Sequence, residues 1–281
     1  MSRWFHNGQP VDHVSIDDRA FQYGDGLFET VAIRKGEPRL WDYHLDRLET
    51  GCERLRFRRP SRSVLTEWLE QALSCRDKST ADATVKIVLT AGQSERGYAR
   101  GTGIEATVYF GVFDAAAVPE KHYRDGVDVV ICQTRLATYS ATAGCKTLNR
   151  LEQVLARSEV LEHGTFEGLT LDADGRLICG TMSNVFTITD NSISTPSLDR
   201  CGIEGVMRRL VITALQQRDL TVVVRDISES ELLDADEVFL CNSQFGVIPV
   251  RCCGDSTWAE YPQTRSVMSI MADSGIAECA Q

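Results

Sequence analysis

The first 113 residues alternate between strand-like and helix-like spacing of apolar positions. The Asn7-Gly8 pair predicts an early hairpin turn. Apolar side chains recur at helical spacing through 42–55 and again through 63–73, which predicts two amphipathic helices. Runs of β-branched and aromatic residues, typical of strands, cover 27–33, 84–90 and 105–112. This part of the chain therefore predicts a first domain of mixed strands and helices over residues 1–113.

The remaining residues predict a second domain. The segment 114–124 contains three consecutive alanines and Pro119, which favours a linker. Beyond it, helical spacing covers 149–163 and 206–218. Strand-like runs cover 127–132, 169–172, 185–189, 221–224 and 237–241. Strands and helices do not alternate regularly, so the fold class predicted is α+β, with a second domain over 125–281 that carries Lys146.

Composition excludes several classes of partner. The net charge is −10 and the pI is about 5.1, whereas nucleic acids and anionic membranes attract basic surfaces. Residues 1–6 lack the apolar stretch of a signal peptide, and no run is long enough to span a membrane, so a cytoplasmic protein is expected. The ten cysteines are mostly scattered singly, which indicates reduced thiols, and Cys252-Cys253 lacks the spacing of a metal site.

Lys146 is the first candidate for chemistry. It lies between small residues and the start of a predicted helix, in Ala-Gly-Cys-Lys-Thr-Leu-Asn. Burial lowers the pKa of a lysine because it disfavours the ammonium form, and the neutral amine attacks an aldehyde to make a Schiff base. The alternative is a structural lysine that extends from a helix N-terminus to solvent.

A phosphate site is the second candidate. Gly202 and Gly205 precede an apolar helix, so the backbone N–H groups of Val206 and Met207 are available to phosphate oxygens. Arg47 would add a bidentate guanidinium. The alternative for Arg47 is a solvated arginine among the acidic residues of its helix.

Two further groups are less specific. Arg96 and Tyr98 occupy a glycine-flanked loop, where they would bind a substrate carboxylate or form a solvated hairpin tip. A lone histidine at a helix start, such as His44, is more often structural than catalytic.

In chain order these segments resemble the fold-type IV pyridoxal-phosphate (PLP) enzymes, which include D-amino-acid and branched-chain aminotransferases and aminodeoxychorismate lyases. The resemblance covers nearly the whole chain and is carried by 18–30, 44–47, 146–149, 183–186 and 205–208. It implies a two-domain α+β fold and a homodimer.

The resemblance also implies residue roles. Lys146 would form the Schiff base with PLP. The phosphate would be bound by Arg47, by the amides of Val206 and Met207, and by Ser243 with Asn242. Thr30 would touch the substrate or the cofactor, and Arg96 and Tyr98 would bind the substrate carboxylates.

Within the family, residues 146–155 and 241–250 resemble the lyase branch more than the aminotransferases, as does the Arg96-Gly97-Tyr98 loop. The implied reaction is an elimination from 4-amino-4-deoxychorismate that yields 4-aminobenzoate, the folate precursor, and pyruvate. The freed Lys146 amine would act as the base, and PLP would act as an electron sink.

Cys179 departs from the family pattern. Members normally place a glutamate five residues before the asparagine of Ser-Asn-Val-Phe, where it keeps the pyridine nitrogen of PLP protonated. A thiol is a weak donor and cannot stabilise a pyridinium. This favours the lyase over the alternatives, which are a D- or branched-chain amino-acid aminotransferase and a non-catalytic PLP-binding homologue. Glu167 or Glu204 is a candidate to replace the missing carboxylate.

Overall fold

A computed structural model of the protein describes residues 3–75, 81–101 and 103–280. The chain divides into two compact units, residues 1–117 with Cys145–Asn149, and residues 118–144 with 150–281. Lys146 therefore groups with the first unit and not with the second, where the sequence placed it. The physical reason is backbone pairing, because Phe28 N donates to Lys146 O at 2.9 Å and Leu148 N donates to Gly26 O at 3.0 Å. A separate linker over 114–124 stays a prediction.

The first unit is built on a mixed set of strands and helices. Its strands are β1 (Arg3–His6), β2 (Gln9–Val11), β3 (Gly26–Arg34), β4 (Glu37–Pro38), β5 (Ala83–Thr90) and β6 (Thr107–Asp114). Its helices are α1 (Arg19–Tyr23), α2 (Trp41–Leu55) and α3 (Arg62–Ser74). The described strands form one antiparallel sheet in the order β2-β1-β6-β5-β3-β4.

Helices α2 and α3 share a hydrophobic core with this sheet. Leu45, Leu48 and Cys52 of α2 are buried at helical spacing, and alternate residues of β5, including Val85 and Ile87, are fully covered. Both helices predicted from apolar spacing are thus confirmed. The short helix α1 was not predicted, because five residues give too few turns for a periodic signal.

The second unit contains a larger sheet. Its helices are α4 (Glu120–Asp125), α5 (Leu151–His163), α6 (Val206–Gln216), α7 (Glu229–Leu233) and α8 (Pro262–Asp273), followed by a 3-10 turn at Ala277–Ala280. Its strands are β7 (Val127–Leu136), β8 (Glu167–Asp172), β9 (Leu177–Gly180), β10 (Asn184–Thr189), β11 (Ser192–Pro196), β12 (Val222–Arg225), β13 (Glu237–Asn242), β14 (Gly246–Cys253) and β15 (Ser256–Thr257). The described strands pair in the order β12-β11-β10-β13-β14-β7-β8-β9, with β15 on β14.

The centre of this sheet is buried on both faces, so successive residues of its strands are covered and do not alternate between buried and exposed. Phe186 of β10 stacks on Phe239 of β13 with ring centroids 4.7 Å apart. Helix α5 packs on β7 and β8, and α6 packs on β13 and α8. Parallel pairs occur only where β7 meets β8 and β14 and where β11 meets β12, among the described strands. Antiparallel pairing dominates both sheets, which confirms the α+β class.

Two properties of the fold concern its surroundings. All ten cysteines are free thiols. Among the described helices, none combines the length and the apolar character needed to cross a bilayer.

Candidate active site

Lys146 is fixed by its backbone to strand β3. Leu27 and Thr147 form an antiparallel bridge, and Asn149 Nδ2 donates to Gly24 O at 3.0 Å. The side chain is half-buried, and its Nζ lies 4.2 Å from the centroid of the Phe28 ring. Thr30 is two residues further along β3, and residues two apart in a strand share a face. Thr30 therefore lies on the same face of β3 as Phe28, whose ring contacts the Lys146 amine.

Glu29 forms a buried charge cluster with two residues of α2. His44 and Arg47 are three residues apart and thus lie on one face of the helix. Arg47 binds Glu29 with two hydrogen bonds, Nε to Oε1 at 2.8 Å and Nη2 to Oε2 at 2.5 Å. His44 Nδ1 lies 2.6 Å from Glu29 Oε2. The alternative that Arg47 is a solvated surface arginine is wrong, because its side chain is only 14% exposed.

The electrostatics of this cluster determine its protonation. Burial opposes ionisation of Glu29, but the Arg47 charge and the hydrogen bonds from His44 and Arg47 lower its pKa to about 2. Burial lowers the pKa of His44 despite the neighbouring Glu29, and the charges of Arg47 and Lys146 act in the same direction. At neutral pH Glu29 is thus an anion and His44 is neutral, with its proton on Nδ1. No hydrogen-bond partner of the buried His44 Nε2 occurs among the described residues.

Sequence reasoning missed Glu29. It recognised Arg47 but treated His44 as an isolated structural residue. The available signal was a carboxylate in the middle of the apolar run 27–33, since an acidic residue in a buried strand requires a cationic or hydrogen-bonding partner.

Arg96 and Tyr98 are exposed, and Tyr98 is 89% accessible. The loop that carries them is nevertheless fixed by the buried Arg19. Arg19 Nη1 donates to Ser94 Oγ at 2.8 Å and to Gly97 O at 3.1 Å, and Nη2 donates to Tyr98 O at 3.0 Å. The hydroxyl of Tyr23 accepts a hydrogen bond from Gly97 N at 3.0 Å.

Asp25 anchors this arrangement. Arg19 Nε and Arg100 Nε both donate to Asp25 Oδ2, at 2.7 and 2.9 Å. Burial opposes ionisation of Asp25, but the hydrogen bonds from Arg100 and Arg19 lower its pKa below the usual value. The loop therefore presents the Arg96 and Tyr98 side chains to solvent from a backbone that is held at three points.

In the second unit, helix α6 begins at an uncapped N-terminus. Its N-cap is Gly205, which has no side chain to cap the helix, and the amides of Val206 and Met207 have no acceptor within the helix. Asn184 Nδ2 donates to Ile203 O at 3.0 Å. A Cβ atom at Gly205 would lie 2.0 Å from Asn184 Oδ1, so only glycine permits this approach. This geometry suits an anion at the N-terminus of α6.

Ser243 lies at the turn between β13 and β14, and Asn242 fixes that turn. Asn242 Oδ1 accepts hydrogen bonds from Gln244 N at 2.8 Å and Phe245 N at 3.0 Å. Asn242 Nδ2 donates to Met182 O at 3.2 Å. The Asn242 amide thus holds the backbone around Ser243.

Cys179 is a buried neutral thiol in β9. Burial raises its pKa to about 11, although a contact with Thr170 Oγ1 at 3.7 Å acts in the opposite direction. The two carboxylates suggested as replacements have different surroundings. Glu167 is occupied by hydrogen bonds to the 181–183 turn, and Glu204 is exposed.

Comparisons with known proteins place this geometry in a family. The model of a family described as amino-transferase class IV matches residues 26–253. The chain is 38% identical to an aminodeoxychorismate lyase of Vibrio harveyi over 87% of this chain and 89% of that protein. It is 30% identical to an aminodeoxychorismate lyase of Bacillus subtilis over 84% of this chain and 80% of that protein.

A solved structure agrees with these sequence relationships. The crystal structure of 4-amino-4-deoxychorismate lyase from Pseudomonas aeruginosa superposes with a TM-score of 0.91 and 39% identity. The superposition covers 97% of this chain and 99% of the Pseudomonas aeruginosa chain. Fold and sequence thus indicate the same relatives.

We expect Glu29→Gln to destabilise the protein at pH 7 by about 3–5 kcal/mol, because it leaves buried Arg47 without its carboxylate. The ordinary pKa of 4.5 is lowered to about 2 in the folded state, so the stabilisation is complete above pH 4.5. It is lost as the pH falls from 4.5 towards 2. Urea unfolding of parent and variant at pH 7 and pH 3 measures the difference, which should shrink at pH 3.

Glu49→Gln is the matched control. Glu49 of α2 pairs with Arg62 of α3 near the surface, so its loss should cost less than about 1 kcal/mol. A Glu29→Gln variant as stable as this control at pH 7 would contradict the charge cluster.

Proposed function

This chain belongs to the amino-transferase class IV family, and from that premise we propose that it is a PLP-dependent aminodeoxychorismate lyase. The observation that carries the proposal is the agreement of sequence and fold with aminodeoxychorismate lyases over nearly the full chain. The substrate would be 4-amino-4-deoxychorismate, a small anionic amine, and the products 4-aminobenzoate, used in folate synthesis, and pyruvate.

The residues present fit a phosphorylated aldehyde. Glu29 binds Nε and Nη2 of Arg47, and these two hydrogen bonds fix the orientation of the planar guanidinium. The N-terminus of α6 is uncapped and closely approached by Asn184, which favours an anion at the amides of Val206 and Met207. Ser243 on its braced turn adds a hydroxyl donor. These groups would hold the phosphate of PLP.

Lys146 would carry the covalent chemistry. PLP, when bound, supplies an aldehyde carbon for amine exchange and a ring that withdraws electrons. Lys146 Nζ would hold the cofactor and, once the substrate amine has taken its place there, the freed Nζ amine would accept the proton from the substrate ring carbon. The enolpyruvyl group leaves with the C–O electron pair and takes up a proton to become pyruvate, so protons balance while the ring becomes aromatic.

The surrounding residues would orient the substrate. Arg96 and Tyr98 would bind its carboxylates, which is supported by the fixed backbone of their loop. Thr30, on the Phe28 face of β3, would touch the substrate or the cofactor. The pair His44 and Glu29 would keep Arg47 in place without exchanging protons near neutral pH.

The assembly proposed is a homodimer that acts in the cytoplasm on small molecules. Helix α5 exposes Leu151, Val154 and Leu155, which are 78%, 59% and 60% accessible in the single chain. Large exposed side chains on one helix face are typical of an interface. Sedimentation equilibrium should give twice the 31.2 kDa of one chain, and a monomer at micromolar concentration would contradict the dimer.

The lyase reaction is tested directly. Purified protein loaded with PLP should convert 4-amino-4-deoxychorismate to 4-aminobenzoate and pyruvate in equal amounts. Lys146→Ala should lose at least about 1,000-fold in rate, since the covalent step and the base are both removed. Lys86→Ala, which removes a second lysine whose Nζ lies 5.3 Å from the centroid of the Phe28 ring, is the matched control. Bound PLP without either product would exclude the lyase.

Transamination is the competing reaction, and Cys179 is expected to suppress it. A thiol that stays neutral cannot hold a proton on the pyridine nitrogen as a carboxylate can. We expect Cys179→Glu to raise the rate at which D-alanine or a branched-chain amino acid converts bound PLP to pyridoxamine phosphate. Cys179→Ser is the control, because it stays neutral. Equal half-reaction rates for both variants would contradict this role.

A further inference from the structure

Glu167, at the start of β8, is completely buried, and both of its carboxylate oxygens accept several hydrogen bonds. Its Oε1 accepts from Gly168 N at 2.9 Å, from Thr181 N at 3.2 Å and from the Thr181 hydroxyl. Its Oε2 accepts from Met182 N at 3.1 Å and from Ser183 Oγ at 2.8 Å. A single carboxylate thus binds three consecutive residues of the turn between β9 and β10.

The turn that Glu167 holds is connected to both loops assigned to the phosphate. On one side, Met182 O accepts the hydrogen bond from Asn242 Nδ2, and the same Asn242 side chain fixes the turn around Ser243. On the other side, Asn184 follows the turn directly and donates to Ile203 O.

The Asn184 branch ends at helix α6. Its Oδ1 occupies the space in which a side chain at Gly205 would lie, so Asn184 packs against the N-cap. The positions of the Val206 and Met207 amides therefore depend on Asn184, whose own position depends on the preceding turn.

We propose that Glu167 is a positioning residue for the phosphate site, acting through the 181–183 turn on Ser243 and on the N-terminus of α6. The proposal deepens the PLP function above and rests on it. As an anion, the carboxylate would repel a phosphate and not bind it. Its contribution is to keep two loops, 60 residues apart in sequence between Met182 and Asn242, at a fixed separation.

Glu167→Gln is the variant that tests this role. Each carboxylate oxygen accepts at least one backbone N–H, so either orientation of the glutamine places its NH₂ group against a backbone donor. One part of the turn must then move, while the side-chain size is unchanged. A buried donor that loses its acceptor costs the full free energy of its desolvation, which is more than the net contribution of an ordinary hydrogen bond.

The decisive measurement compares PLP with pyridoxal, which has the same aldehyde and ring but no phosphate. We expect Glu167→Gln to weaken PLP binding by about ten-fold, the effect of one displaced buried hydrogen bond, and to change pyridoxal binding less than about two-fold. Dissociation constants come from titration of the apoprotein, followed by the absorbance of the bound ligand, so no activity is needed.

Glu237→Gln is the matched control. Glu237 is a buried glutamate of the same unit, and its carboxylate accepts the amides of Gln263 at 2.9 Å and Thr264 at 2.8 Å at the start of α8. The same substitution should lower the melting temperature without changing the ratio of PLP to pyridoxal affinity. If Glu167→Gln does not fold, Thr181→Val is the second test, because it removes one hydroxyl donor from Glu167. This variant should lower the ratio of PLP to pyridoxal affinity by a few-fold.

The outcomes separate this inference from the function on which it rests. Equal loss of PLP and pyridoxal affinity in Glu167→Gln, or an unchanged PLP affinity, overturns the positioning role while the cofactor assignment stands. A parent protein that binds pyridoxal as tightly as PLP overturns the phosphate site. A parent protein that binds neither overturns both.

Discussion

The backbone pairing between β3 and the segment Cys145–Asn149 is the constraint on which the chemistry of the first unit depends. It places the Lys146 amine against the Phe28 ring. Successive residues of a strand point to opposite faces, so Glu29 faces away from Phe28 and reaches α2. Strand β3 therefore positions two groups. The Phe28 face contacts the Lys146 amine, and Glu29 on the opposite face binds the Arg47 guanidinium. A change in the register of β3 by one residue would exchange these two roles.

Both units use a buried carboxylate to hold a candidate phosphate-binding element. Glu29 fixes a side chain, because its two oxygens bind the guanidinium of Arg47. Glu167 fixes the backbone, because its oxygens bind three residues of one turn. Burial of a charge is costly unless hydrogen bonds satisfy it, and a fully satisfied carboxylate gives a rigid arrangement in return. Rigid placement matters here because phosphate oxygens require donors at fixed positions.

Cys179 separates this chain from the usual pattern of its family. A buried thiol with a pKa of about 11 is neutral under any physiological condition. Transamination needs a carbanion that persists until it is protonated at a different carbon. A protonated pyridine ring stabilises this carbanion. An elimination that produces an aromatic ring is driven by its product and needs less of this stabilisation. Glu167, a second buried acidic side chain of the same unit, accepts hydrogen bonds from the 181–183 turn with both of its oxygens.

The sequence by itself determined the α+β class, the two helices on the first sheet and the family, because these depend on local spacing and on motifs that lie in order along the chain. It identified Lys146 and Arg47 as candidates in the same way. It did not reveal Glu29 as the partner of Arg47, Arg19 as the anchor of the Arg96 loop, or Glu167 as the centre of the 181–183 turn. Each of these contacts joins residues from different elements, and a one-dimensional pattern that indicates the need for a partner, as it does for Glu29, does not show which residue the partner is. The unit to which Lys146 belongs was also decided only by tertiary structure, since the hydrogen bonds that fix it join positions more than a hundred residues apart.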